Sequence, residues 1–247
     1  MNRSFPYSDR KFKQLLTAAV SDYWHRRIGQ AESQTQRGVH DAGTRGEVTG
    51  GKQLDAFADI LSNLAKYAGY KDGEIYTHTP LPLPGYYRPQ KNWDLAICRN
   101  GRIIAAIELK SQSGSFGNNF NNRAEEVIGL ARDFQTAYRE KAFGLSPYPW
   151  LGYFFLLEDS EPSRKIVKLA PSPLPPMTKF ENTSYQDRYR LLCEALILER
   201  DFSATALLLS RKPSGTDETL YSEPRPDLSF NAFCRSFFTH ILAQAHA

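Results

Sequence analysis

The sequence predicts an α/β fold in which helices flank a mixed central β-sheet. Three observations lead there. Segments 53–68 and about 123–143 repeat apolar residues at three- and four-residue steps, the period of a helix that buries one face. Segment 92–110 carries two short β-type runs and 150–157 a third, rich in β-branched and aromatic residues. Along 53–157 the order is helix, strand, hairpin, helix, strand, and such alternation buries its apolar faces by laying helices on a sheet.

Near the N-terminus Phe12, Leu15, Leu16, Ala19, Val20 and Tyr23 keep helical spacing. From 29 to 51 the chain is polar and glycine-rich, which predicts a long surface loop. The stripe of the next helix is Leu54, Phe57, Ala58, Leu61, Leu64, Ala65 and Ala68, and Gly69 is a natural stop. A strand is expected around 74–79. The prolines of PLPLPGYYRP then exclude helix and central strand. NWDLAIC and RIIAAIELK are joined by Arg99-Asn100-Gly101, and Asn-Gly is a strong hairpin signal. The stretch SGSFGNNFNN reads as a loop. It leads to a helix with the stripe Ala124, Val127, Ile128, Ala131, Phe134, Tyr138 and Ala142. WLGYFFLL, 150–157, reads as a strand buried on both faces. Beyond it lie a basic, proline-rich linker (161–180), a helix at 185–198, a strand ATALLLS and a final helix from about Leu228. The aromatics of that last helix, Phe230, Phe233, Phe237 and Phe238, with Ile241, read most simply as core, and a dimer surface is the sharper alternative. The whole chain, 1–247, is read as one domain with its core at about 50–157 and a helical and loop extension at about 181–247.

Composition narrows the function classes. With 41% hydrophobic and 13% aromatic residues over 247 positions, the chain can bury a substantial core, which excludes wholesale disorder. The formal net charge of +4 permits a polyanionic partner without demanding one. Cys98, Cys193 and Cys234 form no CxxC or His/Cys cluster, so a zinc finger is excluded and a reducing compartment is expected. MNRSFPYSDRKFKQLL has no apolar signal region, and the run at 150–157 is too short to span a bilayer. A cytoplasmic protein without a membrane partner is expected. The absence of GxSxG, a Walker loop and GxGxxG disfavours a serine hydrolase, an NTP-driven motor and a dinucleotide enzyme.

The chemistry concentrates in Asp94, Glu108 and Lys110. Glu108 and Lys110 are two apart on one strand and share a face. Where Asp94 points depends on the hairpin. A two-residue loop on a straight ladder sets Asp94 opposite Ile107, facing away from Glu108. A three-residue loop, or a bulge that corrects the register, brings both acids to one face. Two carboxylates and an amine on one face suit phosphodiester hydrolysis, because carboxylates hold a hard cation such as Mg²⁺ that activates phosphate and water. The spacing alone also fits an exposed Asp94 and a solvent-facing Glu108–Lys110 pair. The apolar run Ile103-Ile104-Ala105-Ala106-Ile107 favours the site, since charges ending a strand buried on both faces need a purpose.

This arrangement resembles the PD-(D/E)xK nuclease superfamily, with Asn92-Trp93-Asp94 standing where that motif has its proline. More closely, LPGYYRPQKNWD (83–94), ELKSQSGSFGNNFNNRAEE (108–126) and RYRLLCEALIL (188–198) resemble the XhoI-type type II restriction endonucleases, from Gly50 to about residue 200. The resemblance implies a PD-(D/E)xK restriction-endonuclease-like core. It also implies Mg²⁺-dependent cleavage of palindromic double-stranded DNA by a homodimer. The site would be CTCGAG, cut after the first C to leave four-base 5′ overhangs, and a DNA methyltransferase would protect the prokaryotic host. Asp94, Glu108 and the carbonyl of Leu109 are then expected to bind Mg²⁺, and Lys110 to assist the attacking water. Two other readings stand beside it: a structure-selective or repair nuclease on the same fold, and a DNA-binding module with a dead active site.

Further residues have a functional and a plain reading each. Asn118, Asn119, Asn121, Asn122 and Arg123 can contact DNA, or form a polar turn that caps the next helix. Gln112 shares the face of Glu108 and Lys110 and can bind water or phosphate, or simply end the strand. Arg88 and Lys91, beside Tyr86 and Tyr87, can contact the DNA backbone or belong to a surface loop. Glu47 and Asp55 are candidate auxiliary acids, although an acid at a helix start also complements the dipole. Residues 85–111 carry a local excess of basic residues, so salt-sensitive duplex binding is expected to centre there.

Overall fold

A computed structural model describes residues 3–36, 51–79, 81–144, 146–214 and 221–245. The first helix, α1 (Asp9–Gln36), is longer than its apolar stripe and runs into the segment predicted as loop. A 3-10 turn (Gly51–Leu54) leads into α2 (Asp55–Ala68), which ends at Gly69 with φ +105°. The strand predicted at 74–79 shrinks to β1 (Ile75–Tyr76), because a 3-10 turn occupies Asp72–Glu74. The proline-rich stretch contributes β2 (Pro82–Pro84), paired with β3 (Gln90–Asn92) in a small ribbon apart from the main sheet. The hairpin is β4 (Leu95–Arg99) and β5 (Arg102–Gln112).

Next comes α3 (Phe116–Arg139), which begins seven residues before the predicted start. The reason is aromatic. Phe116 stacks on Tyr185 with centroids 6.0 Å apart, and Phe120, one turn later, sets its ring edge-on to Tyr189 at 5.2 Å. Those contacts draw the Asn-rich segment into the helix. Then come β6 (Trp150–Glu158), the short α4 (Glu161–Arg164), α5 (Tyr185–Leu198), β7 (Ala204–Ser210), β8 (Tyr221–Ser222) and α6 (Phe230–Ala245).

The main sheet is mixed, in the order β1-β4-β5-β6-β7-β8. β5, β6 and β7 are parallel, and the other neighbours are antiparallel. Helices α3 and α5 are the crossovers between the parallel strands, and they cover one face through Val127, Leu130, Phe134, Tyr189 and Leu196. Helices α1, α2 and α6 cover the other through Leu16, Val20, Phe57, Leu61, Phe233 and Phe237. With both faces covered, β5, β6 and β7 read as continuous apolar runs. The strand and helix placed in the extension at 181–247 thus stand inside the sheet and on its cover. Among the described residues no helix is long and apolar enough to cross a membrane.

Arg99 pins the hairpin to its surroundings. It pairs with Glu74 (Nε to Oε1, 2.7 Å), donates to the carbonyls of Gly69 (2.6 Å) and Ala245 (3.1 Å), and lies 4.0 Å over the Tyr70 ring. The Arg99 hydrogen bonds, helped by the Lys71 N–H, pull the Glu74 carboxyl down to about 2. A depressed carboxyl stabilises the fold fully above its ordinary range, and that contribution is lost as pH falls through about 4 towards 2. Arg99→Met therefore costs roughly 2 kcal/mol in denaturant unfolding at neutral pH. At pH near 2 the difference shrinks as Glu74 protonates; an equal gap at both pH values would count against the pair.

Candidate active site

The hairpin turn is the two-residue Asn100-Gly101 form, both residues having positive φ (53° and 73°) and Arg99 facing Arg102. On a straight ladder that register would turn Asp94 away from Glu108. A bulge intervenes: Cys98 faces Ile103 but Ile97 faces Ala105, so Ile104 is the extra residue. Beyond it Leu95 faces Ile107, which sets Asp94 opposite Glu108. The corrected register is thus reached through a bulge, with the two acids opposite each other.

Glu108 is 3% exposed, and Lys110 donates to its Oε1 at 2.6 Å. The Lys91 ammonium lies 2.9 Å from its Oε2, yet that oxygen accepts no hydrogen bond among the described residues. Asp94 Oδ2 accepts the Leu109 N–H at 2.7 Å. Burial, then the Glu108 charge, push the Asp94 carboxyl up to about 6 against the pull of Lys110 and the Leu109 N–H. Burial opposes the charge on Lys110, but Glu108 and Asp94 outweigh it and hold the ammonium above its ordinary value.

The remaining sequence-predicted residues divide into those near this cluster and those elsewhere. Gln112, 5% exposed, is locked in place: it accepts from the Tyr189 hydroxyl and donates to the Gly114 carbonyl at 3.1 Å. Arg123 pairs with Glu126 at 2.6 Å, close enough to Lys110 for their charges to oppose. Asn118, Asn121 and Asn122 are exposed on the first turns of α3, and Asn119 is half-buried there, so they sit on a helix and not on a loop. The residue before that helix is Ser115, so the asparagines are not its cap.

Arg88 bonds Asp133 at 2.8 Å, and the same carboxylate accepts the N–H groups of Tyr86 and Tyr87, which fastens this turn to α3. Asp55 pairs with Arg26 (3.3 Å) and stands 3.9 Å from His78. Glu47 lies outside the described residues. The local basic excess of 85–111 is also answered from outside that segment, by Asp133 on Arg88 and Glu74 on Arg99.

Sequence reasoning misses Tyr153. It faces Glu108 across the β5–β6 ladder, is fully buried, and its hydroxyl has no hydrogen-bond partner among the described residues. Nothing in the uniform run WLGYFFLL marks it. Lys91, a candidate DNA contact by sequence, instead brings its ammonium onto Glu108.

A carboxyl whose folded pKa is raised destabilises the fold above that pKa, and the penalty fades as pH drops towards the ordinary value. Asp94→Asn keeps an acceptor for the Leu109 N–H and removes the charge. It raises stability at pH 8 by roughly 1–3 kcal/mol in denaturant unfolding. The gain vanishes at pH near 4, where the wild-type carboxyl is protonated too. A variant less stable than wild type at pH 8 would contradict the electrostatic account.

The fold and the acids at its hairpin sit beside clear sequence likenesses. The chain is similar to the type II restriction enzyme BstVI of Geobacillus stearothermophilus, 46% identical over 211 residues that cover 83% of this chain and 94% of that protein. It is similar to the type II restriction enzyme XhoI of Xanthomonas vasicola, 38% identical over 192 residues, 76% of this chain and 77% of that protein. It is also similar to the type II restriction enzyme AbrI of Azospirillum brasilense, 43% identical over 156 residues, 62% of this chain and 70% of that protein. No solved structure matches it. The class is that of type II restriction enzymes, site-specific deoxyribonucleases whose substrate is DNA. Within that class the chain belongs to the restriction endonuclease XhoI family, whose model matches residues 33–223.

Proposed function

We propose that the chain cuts both strands of duplex DNA at a palindromic site, CTCGAG with 5′ overhangs, in an Mg²⁺-dependent reaction at Asp94, Glu108 and Lys110. The observation that carries the catalytic reading is Glu108: a carboxylate 3% exposed, facing the half-buried carboxylate of Asp94, with one oxygen that accepts no hydrogen bond among the described residues. The Lys91 ammonium, 2.9 Å away, answers that oxygen's charge, and two facing carboxylates at this depth remain a costly pair that a shared divalent cation would offset. Asp94, Glu108 and the Leu109 carbonyl would hold the cation. Among the described residues no third acidic, His or Cys group joins them, which suits Mg²⁺, an ion that keeps several waters. When bound, it supplies Lewis acidity to the phosphate and acidity to water.

The chain's own residues do the rest. Lys110 remains an ammonium, so its part is electrostatic: it holds Glu108 and turns its other N–H groups towards the attacking water and the phosphate oxygens. The Leu109 N–H fixes the rotamer of Asp94. Hydrolysis breaks the bond between phosphorus and the 3′ oxygen, leaving a 5′-phosphate and a 3′-hydroxyl. A palindromic target is matched by a two-fold homodimer. A cognate methyltransferase protects the DNA of a prokaryotic cytoplasm in which the enzyme works.

Mapping the ends produced on long DNA of known sequence tests this reading. Wild type with Mg²⁺ gives one recurring palindrome and one overhang, while Asp94→Ala gives no cuts. Nicks at flaps or junctions, without a defined sequence, would point to a structure-selective nuclease. Duplex affinity also falls steeply with salt, by about tenfold or more between 50 and 200 mM, as fluorescence anisotropy would read it. Affinity indifferent to salt would remove the phosphate-contact component of the proposal.

A further inference from the structure

We infer that Lys91 couples divalent-cation binding to DNA binding by competing with the cation for Glu108. The inference rests on the proposal that Asp94 and Glu108 hold that cation. Lys91 reaches the site from β3, outside the main sheet. Its ammonium lies 2.9 Å from Glu108 Oε2, donates to the Asn92 carbonyl at 3.0 Å, and stands 5.4 Å from the centre of the Trp93 ring. The side chain is only 19% exposed. Oε2 is the oxygen that accepts no hydrogen bond among the described residues, so Lys91 holds it by charge. With Lys110 at Oε1, a cation shared by Asp94 and Glu108 would use the same oxygen.

Charge sets the direction of the competition. Asp94 and Glu108 cancel Lys91 and Lys110. A divalent cation added to these four groups leaves a positive surplus in a largely buried site, where it is poorly screened. Arg123 adds to that surplus and is already paired with Glu126. Lys110 is badly placed to leave, being two residues from Glu108 on the long strand β5 and bonded to Oε1 at 2.6 Å. Lys91 rides on a three-residue strand of a separate ribbon, at the end of a flexible four-carbon stem. A phosphodiester of DNA offsets the surplus and accepts the displaced ammonium. Cation and DNA therefore tighten each other's binding through this side chain, as linkage requires.

Calorimetric titration of Ca²⁺ into the full chain tests the competition without relying on cleavage. Lys91→Met binds Ca²⁺ about tenfold more tightly than wild type, an ordinary coupling between sites, whereas Lys91→Arg keeps the charge and stays within about threefold of wild type. Asp94→Asn loses binding. Fluorescence anisotropy with a labelled CTCGAG duplex tests the coupling: added Ca²⁺ strengthens duplex binding more in wild type than in Lys91→Met. If Lys91→Met binds Ca²⁺ no better than wild type while Asp94→Asn loses it, the Lys91 inference is overturned and the ligand assignment survives. If Asp94→Asn binds as well as wild type, the ligand assignment itself fails. Tighter binding by Lys91→Arg equal to that of Lys91→Met would remove charge as the cause. Equal Ca²⁺ enhancement of duplex binding in wild type and Lys91→Met would remove the coupling.

Discussion

Lys110→Met cuts duplex DNA at least about a thousandfold more slowly than wild type, yet binds the same duplex with an affinity within a few-fold. The expectation follows from where the ammonium stands. It is held above its ordinary pKa by Glu108 and Asp94, so it is charged at any pH at which the enzyme works. It is also directed by its bond to Glu108 Oε1 at 2.6 Å, so it does not roam as a surface lysine would. Charge fixed in a partly buried place is worth most where charge develops during reaction, and least in the ground state. That is why kcat falls and binding barely moves. Methionine keeps the length and apolar stem of the side chain, so the packing around β5 survives. Lys110→Arg does not restore the rate, because a planar guanidinium cannot occupy the same point on Glu108. Single-turnover cleavage on saturating enzyme, read beside anisotropy for binding, separates the two effects. A variant that cuts within tenfold of wild type would take Lys110 out of the chemistry.

The same hairpin shows how far residues can be read without coordinates. Asn100-Gly101 announces the turn, and the turn is the two-residue form that these residues favour. What the residues cannot announce is the bulge at Ile104. A one-residue slip is visible in a sequence only when one face of the strand is polar, since it then moves polar residues inward. Here Ile103 through Ile107 are buried on both faces, so the slip changes which apolar core each residue joins and nothing else. Asp94 and Glu108 are therefore legible as residue types on a hairpin, and their meeting is not.

The early start of α3 is a parallel case. Local composition argues for a loop, and the rings of Tyr185 and Tyr189, distant in sequence, decide for a helix. Lys91 reads as a surface cation because its partner, Glu108, is brought to it only by the fold. Long-range partners of this kind also explain why the local basic excess of 85–111 does not translate into free charge.

Gly152→Ala lowers stability by about 3 kcal/mol, and Gly152→Val prevents folding at 37 °C, although the residue has no side chain to lose. Gly152 lies within β6, between Ile107 of β5 and Ala204 of β7. A β-carbon there would stand 2.4 Å from Trp150 Cζ3 and 2.6 Å from Phe233 Cζ. Neither ring can step aside cheaply. The indole N–H of Trp150 donates to Ser236 Oγ at 3.2 Å, and its ring meets Phe233 at 5.1 Å and Phe237 at 5.3 Å. Both phenylalanines belong to α6, so a displaced indole would lift that helix from the sheet. A glycine inside a strand normally weakens it, and its presence here marks a backbone over which large rings must close. The effect on catalysis has a different signature from that of Lys110. Folded Gly152→Ala protein, assayed at low temperature, cuts with near-wild-type kcat, because the next residue, Tyr153, still faces Glu108 and the site is unchanged. Lys110→Met stays folded and does not cut. Denaturant unfolding of Gly152→Ala within about 0.5 kcal/mol of wild type would show that the rings relax, and that the packing of α6 is looser than the distances require.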